Sequence, residues 1–258
     1  MEKSVINFLK EIVIEAGKII KENFNKSNTV HYKGKIDLVT EIDIKVEEFI
    51  KKRLETIEGD FNIVAEESFD GNLPDDKVIL LDPIDGTTNF VHGFPFVAIS
   101  LALIDKDYEC GIVYNPILDE IFTAESGKGA YLNGERIFVS KTDNLEKSLI
   151  ATGFPYSSVV ENIDKLLKLL SNVLKNTRGI RRAGSAALDL CYVAKGVFDG
   201  YYESNLKPWD VAAGKIVVKE AGGEVLNIEG ESYTFSDKFI IATNKFITKD
   251  LLRLLNGV

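Results

Sequence analysis

The chain is short of the residues on which much enzyme chemistry rests: two histidines, two cysteines, one methionine, one tryptophan and no glutamine among 258 residues. His31 and His92 give little basis for histidine-centred proton transfer or for a zinc site. Cys110 and Cys191 lie far apart in apolar text without CxxC or zinc spacing, and read as buried thiols of a reducing compartment. Walker A, GxGxxG, GxSxG and HExxH patterns are all missing. The longest apolar run, Val97–Ile104, is interrupted by Ser100 and is too short to span a bilayer. The opening text MEKSVINFLKEIVIEAGKII lacks the unbroken apolar core and cleavage site of a signal peptide, so the cytoplasm is the expected location and no membrane partner is expected. Lysine and asparagine abound, which fits an AT-rich genome as well as a partly thermophile-like bias.

What is present is acidic and otherwise ordinary. Forty acidic against 31 basic side chains give a formal charge of -9, with 45% hydrophobic and 28% charged residues. This composition excludes wholesale disorder. The length suits one large domain or two modest ones. Net acidity argues against a broad nucleic-acid surface. It also poses a question: what would hold an anionic ligand here?

Periodicity divides the chain. Residues 5–24 carry an apolar stripe at helical spacing, and a second helix is expected from Thr40 to about residue 57, with Thr40 and Asp43 in a T-x-x-D capping arrangement. Strands are expected at Val78–Leu81, Val97–Ile104, Gly111–Tyr114 and Ile121–Ala124, with a hairpin turn at Asn133-Gly134. After about residue 145 the text alternates. Strand-like Ser148–Thr152, Phe198–Glu203, Val225–Ile228 and Phe239–Ala242 are interleaved with helices near 162–175, 185–195, 209–221 and 247–256, and the segment Gly179–Arg182 leads into the second of these helices. Helices, a meander and then alternating elements predict two α/β-type halves, 1–145 and 146–258, sharing one globule.

The segment Asp82-Pro83-Ile84-Asp85-Gly86-Thr87-Thr88 follows directly from Val78-Ile79-Leu80-Leu81. A buried strand thus delivers two carboxylates to its C-terminal end, and Gly86 and Thr87 lead into a helix start. Hard oxygen donors beside an anion-favouring helix end suit Mg²⁺ with a phosphate. An Asx-type turn capping a helix explains the same spacing. Glu66-Glu67 after Ile63-Val64-Ala65, Asp210 after Trp209, and Asp43 are further acidic candidates. Each has a plain alternative: a solvated strand end, a helix-dipole carboxylate and a capping box. Spacing alone does not bring residues 43, 66, 85 and 210 together.

Glu66-Glu67-Ser68, Asp82 through Phe90 and Trp209-Asp210-Val211-Ala212-Ala213-Gly214 together resemble the inositol monophosphatase family, within the Mg²⁺-dependent, lithium-sensitive phosphatases. The likeness spans nearly the whole chain, including Asp37-Leu38-Val39-Thr40 with Asp43, and Arg182 through Ala187. Lys207-Pro208-Trp209-Asp210 and Gly200-Tyr201-Tyr202-Glu203 are similar to bacterial SuhB-type members. The resemblance implies a layered α/β/α/β/α sandwich and a homodimer, with Arg181–Ala187 and the 90–96 stretch as candidate interface segments. It implies metal ligation by Glu66, Asp82, the Ile84 carbonyl, Asp85 and Asp210, with two or three Mg²⁺ per site and Li⁺ as inhibitor. It implies that Thr87, assisted by Asp43 or Glu66, activates water. It implies that the Gly86 and Thr87 amides cradle the phosphate, while Asp85, Gly184, Ser185, Ala186, Glu203 and Asp210 meet the substrate's hydroxyls. Lys33 or Lys35 would match the family's active-site lysine. Ala65 stands where many relatives have glycine, and Ser185 where animal enzymes often have threonine.

The activity so implied is hydrolysis of inositol 1-phosphate, with a phosphorylated polyol or sugar as ligand. A dual activity on fructose 1,6-bisphosphate is the alternative enzyme reading, with Arg181 and Arg182 as candidates for a second phosphate. A SuhB-like role beside the transcription machinery is the alternative of a different class. On the implied ligand set the acidity has a local answer: four carboxylates carry a formal -4, which two Mg²⁺ would neutralise and three would invert.

Overall fold

The stripe over 5–24 forms α1 (Val5–Asn23), which buries Leu9, Ile12, Val13, Ala16 and Ile20. A short hairpin of β1 (Val30–Tyr32) and β2 (Leu38–Thr40) leads into α2 (Glu41–Leu54). Thr40 and Asp43 form the expected capping box there: the Thr40 N–H donates to Asp43 Oδ2 at 2.9 Å, and the Ile42 N–H to Thr40 Oγ1 at 3.2 Å. These coordinates, a computed structural model, describe all residues except 1–3, 27–29, 33–37, 58, 75, 155 and 258. Lys33, Lys35 and Asp37 therefore lie outside the described residues.

Among the described residues, α1 and α2 pack on a seven-stranded sheet in chain order. Its strands are β3 (Asn62–Ala65), β4 (Val78–Asp85), β5 (Ala98–Asp105), β6 (Tyr108–Asn115), β7 (Glu120–Glu125), β8 (Gly129–Leu132) and β9 (Glu135–Ile137). The two-residue period decides the faces. In β4, Ile79 and Leu81 enter the core under α1 and α2, whereas Val78 and Leu80 point into the central core. The Asn133-Gly134 turn joins β8 to β9 with positive φ at both residues, as a tight hairpin requires. The sheet is antiparallel except for its first pair, β3 and β4, which run parallel.

The short helix α3 (Thr87–His92) links β4 to β5, and after β9 the chain enters the second half. There β10 (Leu149–Thr152), α4 (Tyr156–Asn176), β11 (Gly179–Arg181), α5 (Ala186–Ala194), β12 (Gly200–Ser204), α6 (Pro208–Glu220), β13 (Glu224–Leu226), β14 (Phe239–Thr243) and α7 (Thr248–Asn256) follow. The five strands order as β11-β10-β12-β14-β13, parallel across the first three and antiparallel beyond. Helices α5 and α6 lie between the two sheets, within the central core. Helices α4 and α7 cover the outer face of the smaller sheet through Leu169, Val173, Leu251 and Leu255. The stack is thus α/β/α/β/α, and α6 brings its N-terminus to the end of β4. No helix among the described residues is long and apolar enough to cross a membrane.

Candidate active site and metal centre

The parallel pairing of β3 with β4 sets Ala65 opposite Leu81. The next residues, Glu66 and Asp82, therefore leave neighbouring strands at the same end of the sheet. On the other side, β5 sets Ser100 opposite Asp82 and Ala98 opposite Asp85, with a register shift between. Pro83, which has no N–H to give the ladder, sits in that irregularity. The Ile84 N–H donates to Asp82 Oδ1 at 3.0 Å. The strand so runs four residues beyond the apolar text that predicts it, because a bulge accommodates the polar DPID segment.

Asp210 is the third residue of α6, and its Oδ2 accepts the Lys207 N–H at 2.8 Å. The Ser100 hydroxyl donates to the Trp209 carbonyl at 3.1 Å and fastens that helix start to β5. Glu66, Asp82 and Asp210 each place a carboxylate oxygen within 4.8 Å of the others. Three segments, distant in sequence, converge on one point.

Asp85 is oriented by α5. Its Oδ2 accepts the Ser185 hydroxyl at 2.6 Å and the Ala187 N–H at 2.7 Å. Gly184 and Ala186 flank that contact. Thr87 opens α3, with its Oγ1 2.9 Å from Asp43 Oδ1 and 3.1 Å from the Ile84 carbonyl. Asp43 thus divides its two oxygens: Oδ2 caps α2 and Oδ1 accepts the Thr87 hydroxyl. Gly86 has φ +96°, and a Cβ there would stand 2.9 Å from the Phe96 carbonyl, so only glycine fits this turn. The Asn89 amide donates to the carbonyls of Phe96 and Ala183, which ties α3 to the loop before Gly184. Glu203, on β12, accepts the Tyr201 hydroxyl at 2.6 Å, and a Cβ on Gly153 would overlap its carboxylate.

Burial pushes Asp82 and Asp210 well above the usual carboxylate range, and the Glu66 charge pushes further in the same direction. Burial takes Asp85 up to about 6, against the hydrogen bonds from Ser185 and Ala187 that favour its charged form. Burial also raises Asp43, and it takes Glu203 up to about 7 despite the Tyr201 bond and the Arg182 charge. The groups acting most strongly on Asp82 are themselves carboxylates. A cation among Glu66, Asp82 and Asp210 would oppose this mutual repulsion and favour their charged forms.

Some site residues carry no functional reading in the sequence. Ser100 shows only as a polar break in an apolar run, and a buried strand hydroxyl of this kind is the signal. Asp189, buried on α5, feels the Glu203, Asp85 and Arg182 charges, and its Oδ1 has no hydrogen-bond partner. Nothing in helical spacing distinguishes it from a surface acid.

The family model for the inositol monophosphatase family matches residues 1–257. The chain is 42% identical over 252 residues to inositol monophosphatase 3 of Solanum lycopersicum, covering 95% of this chain and 94% of that protein. It is 42% identical over 225 residues to a putative Nus factor SuhB of Neisseria meningitidis, covering 86% and 85%. The crystal structure of extragenic suppressor protein suhB from Bartonella henselae superposes with a TM-score of 0.92 at 41% identity, over 99% of this chain and 100% of that one. With its five-layered fold and its converging carboxylates, this chain belongs to the inositol monophosphatase family of phosphatases.

Proposed function

We propose that this chain is a Mg²⁺-dependent phosphomonoesterase that hydrolyses inositol 1-phosphate to inositol and phosphate. The observation that carries the reading is the meeting of Glu66, Asp82 and Asp210 beside the Thr87–Asp43 hydrogen bond. The donor set fits Mg²⁺. Octahedral coordination at about 2.1 Å separates ligand oxygens by roughly 3 to 4 Å, and the cluster's oxygens lie within 4.8 Å of one another. Glu66, Asp82, Asp85, Asp210 and the Ile84 carbonyl would hold the ions. Bound there, Mg²⁺ supplies an acidified water, charge neutralisation of the phosphoryl group and stabilisation of the leaving oxygen.

The chain's own residues do the rest. The Thr87 hydroxyl donates a hydrogen bond to Asp43, so its lone pairs can accept from the attacking water and orient it. Asp43, made more basic by burial, takes up the proton relayed through that hydroxyl, with Glu66 nearby. The Gly86 and Thr87 amides face the phosphate. Gly184, Ser185, Ala186 and Glu203, with Asp85 and Asp210, receive the polyol hydroxyls. The halves 1–145 and 146–258 act as two subdomains, the second supplying Asp210 and the substrate contacts. The active species is a cytoplasmic homodimer inhibited by Li⁺.

A phosphate-release panel tests this: inositol 1-phosphate, fructose 1,6-bisphosphate, glycerol 2-phosphate and adenosine 3′,5′-bisphosphate, each with and without Mg²⁺. Preferential Mg²⁺-dependent release from inositol 1-phosphate is expected, and release from none of the four would end the reading. Equal release from fructose 1,6-bisphosphate would favour the dual enzyme. The SuhB names of two relatives favour a second reading, a partner of the transcription machinery. Pull-down with RNA polymerase factors, using wild type and Asp85→Asn, separates the two: binding without phosphatase activity would make the roles independent.

A further inference from the structure

Glu66 stands at the head of a three-residue turn, Glu66–Ser68, rather than inside a long element. One side of that turn is tied to α2. The Glu67 N–H donates to Glu47 Oε2 at 2.8 Å, and Lys51 Nζ donates to Ser68 Oγ at 2.8 Å. The other side ends in Phe69, whose ring meets the Trp209 indole edge-on, with centroids 4.9 Å apart and planes at 64°. That is favourable geometry for an aromatic pair. Trp209 is buried, and its carbonyl is held by Ser100. It immediately precedes Asp210.

We propose that Phe69 is a positioning residue that clamps the Glu66 turn onto the start of α6, setting the separation of Glu66 and Asp210 and so the affinity of the site for a divalent cation. The proposal rests on the metal-site reading given above. Phe69 itself is 39% exposed, so its ring is not needed to fill a core. Its ring joins these two ligand-bearing segments by direct contact, and it touches neither substrate nor cation in this role. Loosening the contact leaves both carboxylates in place but lets their spacing fluctuate. Affinity then falls, while chemistry at saturating cation is spared.

The test is Mn²⁺ titration of the metal-stripped protein, followed by electron paramagnetic resonance without substrate, alongside kcat and half-saturating Mg²⁺ in the assay. Phe69→Ala should weaken Mn²⁺ binding and raise half-saturating Mg²⁺ about two- to tenfold, the range expected for one aromatic pair, with kcat at saturating Mg²⁺ changed less than about twofold. Phe69→Tyr, which keeps the ring, should restore affinity. Phe246→Ala, an exposed ring beyond the far end of β14, is the control and should leave affinity unchanged. Unchanged Mn²⁺ affinity in Phe69→Ala, beside a wild type that binds, would overturn the clamp alone. So would a failure of Phe69→Tyr to restore affinity, or an equal loss in Phe246→Ala. A wild type that binds no Mn²⁺ would overturn the metal-site reading and the clamp with it.

Discussion

Replacing Glu203 by glutamine should make the metal-free protein more stable at pH 8 while changing it far less at pH 5. Glu203 is buried on β12 and carries a carboxyl raised from 4.5 to about 7, chiefly by desolvation. An acid whose folded pKa exceeds its unfolded value binds more protons when folded between those two values. Its contribution is therefore fully present below pH 4.5 and is lost as pH rises through 7. With those limits, about 2–3 kcal/mol of stability disappears between roughly pH 5 and 8. Glutamine keeps the acceptor for the Tyr201 hydroxyl but has no proton to lose. Asp85, Asp189 and Asp210 remain in both proteins, so the difference between them reads Glu203 together with its coupling to these neighbours. Urea unfolding in EDTA at half-unit pH steps reads that difference directly. A wild-type-minus-variant stability that stays flat across this range would refute the claim that burial dominates at Glu203.

Three further outcomes follow from the same geometry. Ser100→Ala strips the buried Trp209 carbonyl of its donor and should cost about 1–3 kcal/mol in urea unfolding; a change within experimental error would mean that the carbonyl finds another partner. Gly153→Ala drives a methyl into the Glu203 carboxylate and should cost about 1–3 kcal/mol and weaken substrate binding, a view abandoned if its melting temperature and KM match the wild type. Mg²⁺ at a hundred times its Kd should stabilise the stripped wild type by about 2.7 kcal/mol and Asp210→Asn by much less, because that carboxylate joins the Glu66–Asp82 cluster; equal thermal shifts would remove Asp210 from the cation site.

The sequence by itself carried the elements and the chemical types. Stripe and capping signals marked α1 and α2, the Asn133-Gly134 pair marked a hairpin, and the acidic motifs carried the family resemblance, because these are local properties of a few neighbouring residues. Strand ends were less legible. β4 reaches Asp85 through a bulge that polar text conceals, and the parallel pairing of β3 and β4 is a long-range choice that no two-residue period encodes. Only the tertiary structure decided that Glu66, Asp82 and Asp210 share one point, since that follows from which strands pair and where α6 crosses them. It also decided that Asp43 serves a cap and Thr87 at once, that Glu203 lies buried over a glycine, and that Phe69 reaches Trp209. Burial and pairing are properties of the packed chain. The same carboxylates, spread along an extended polymer, would be ordinary solvated acids.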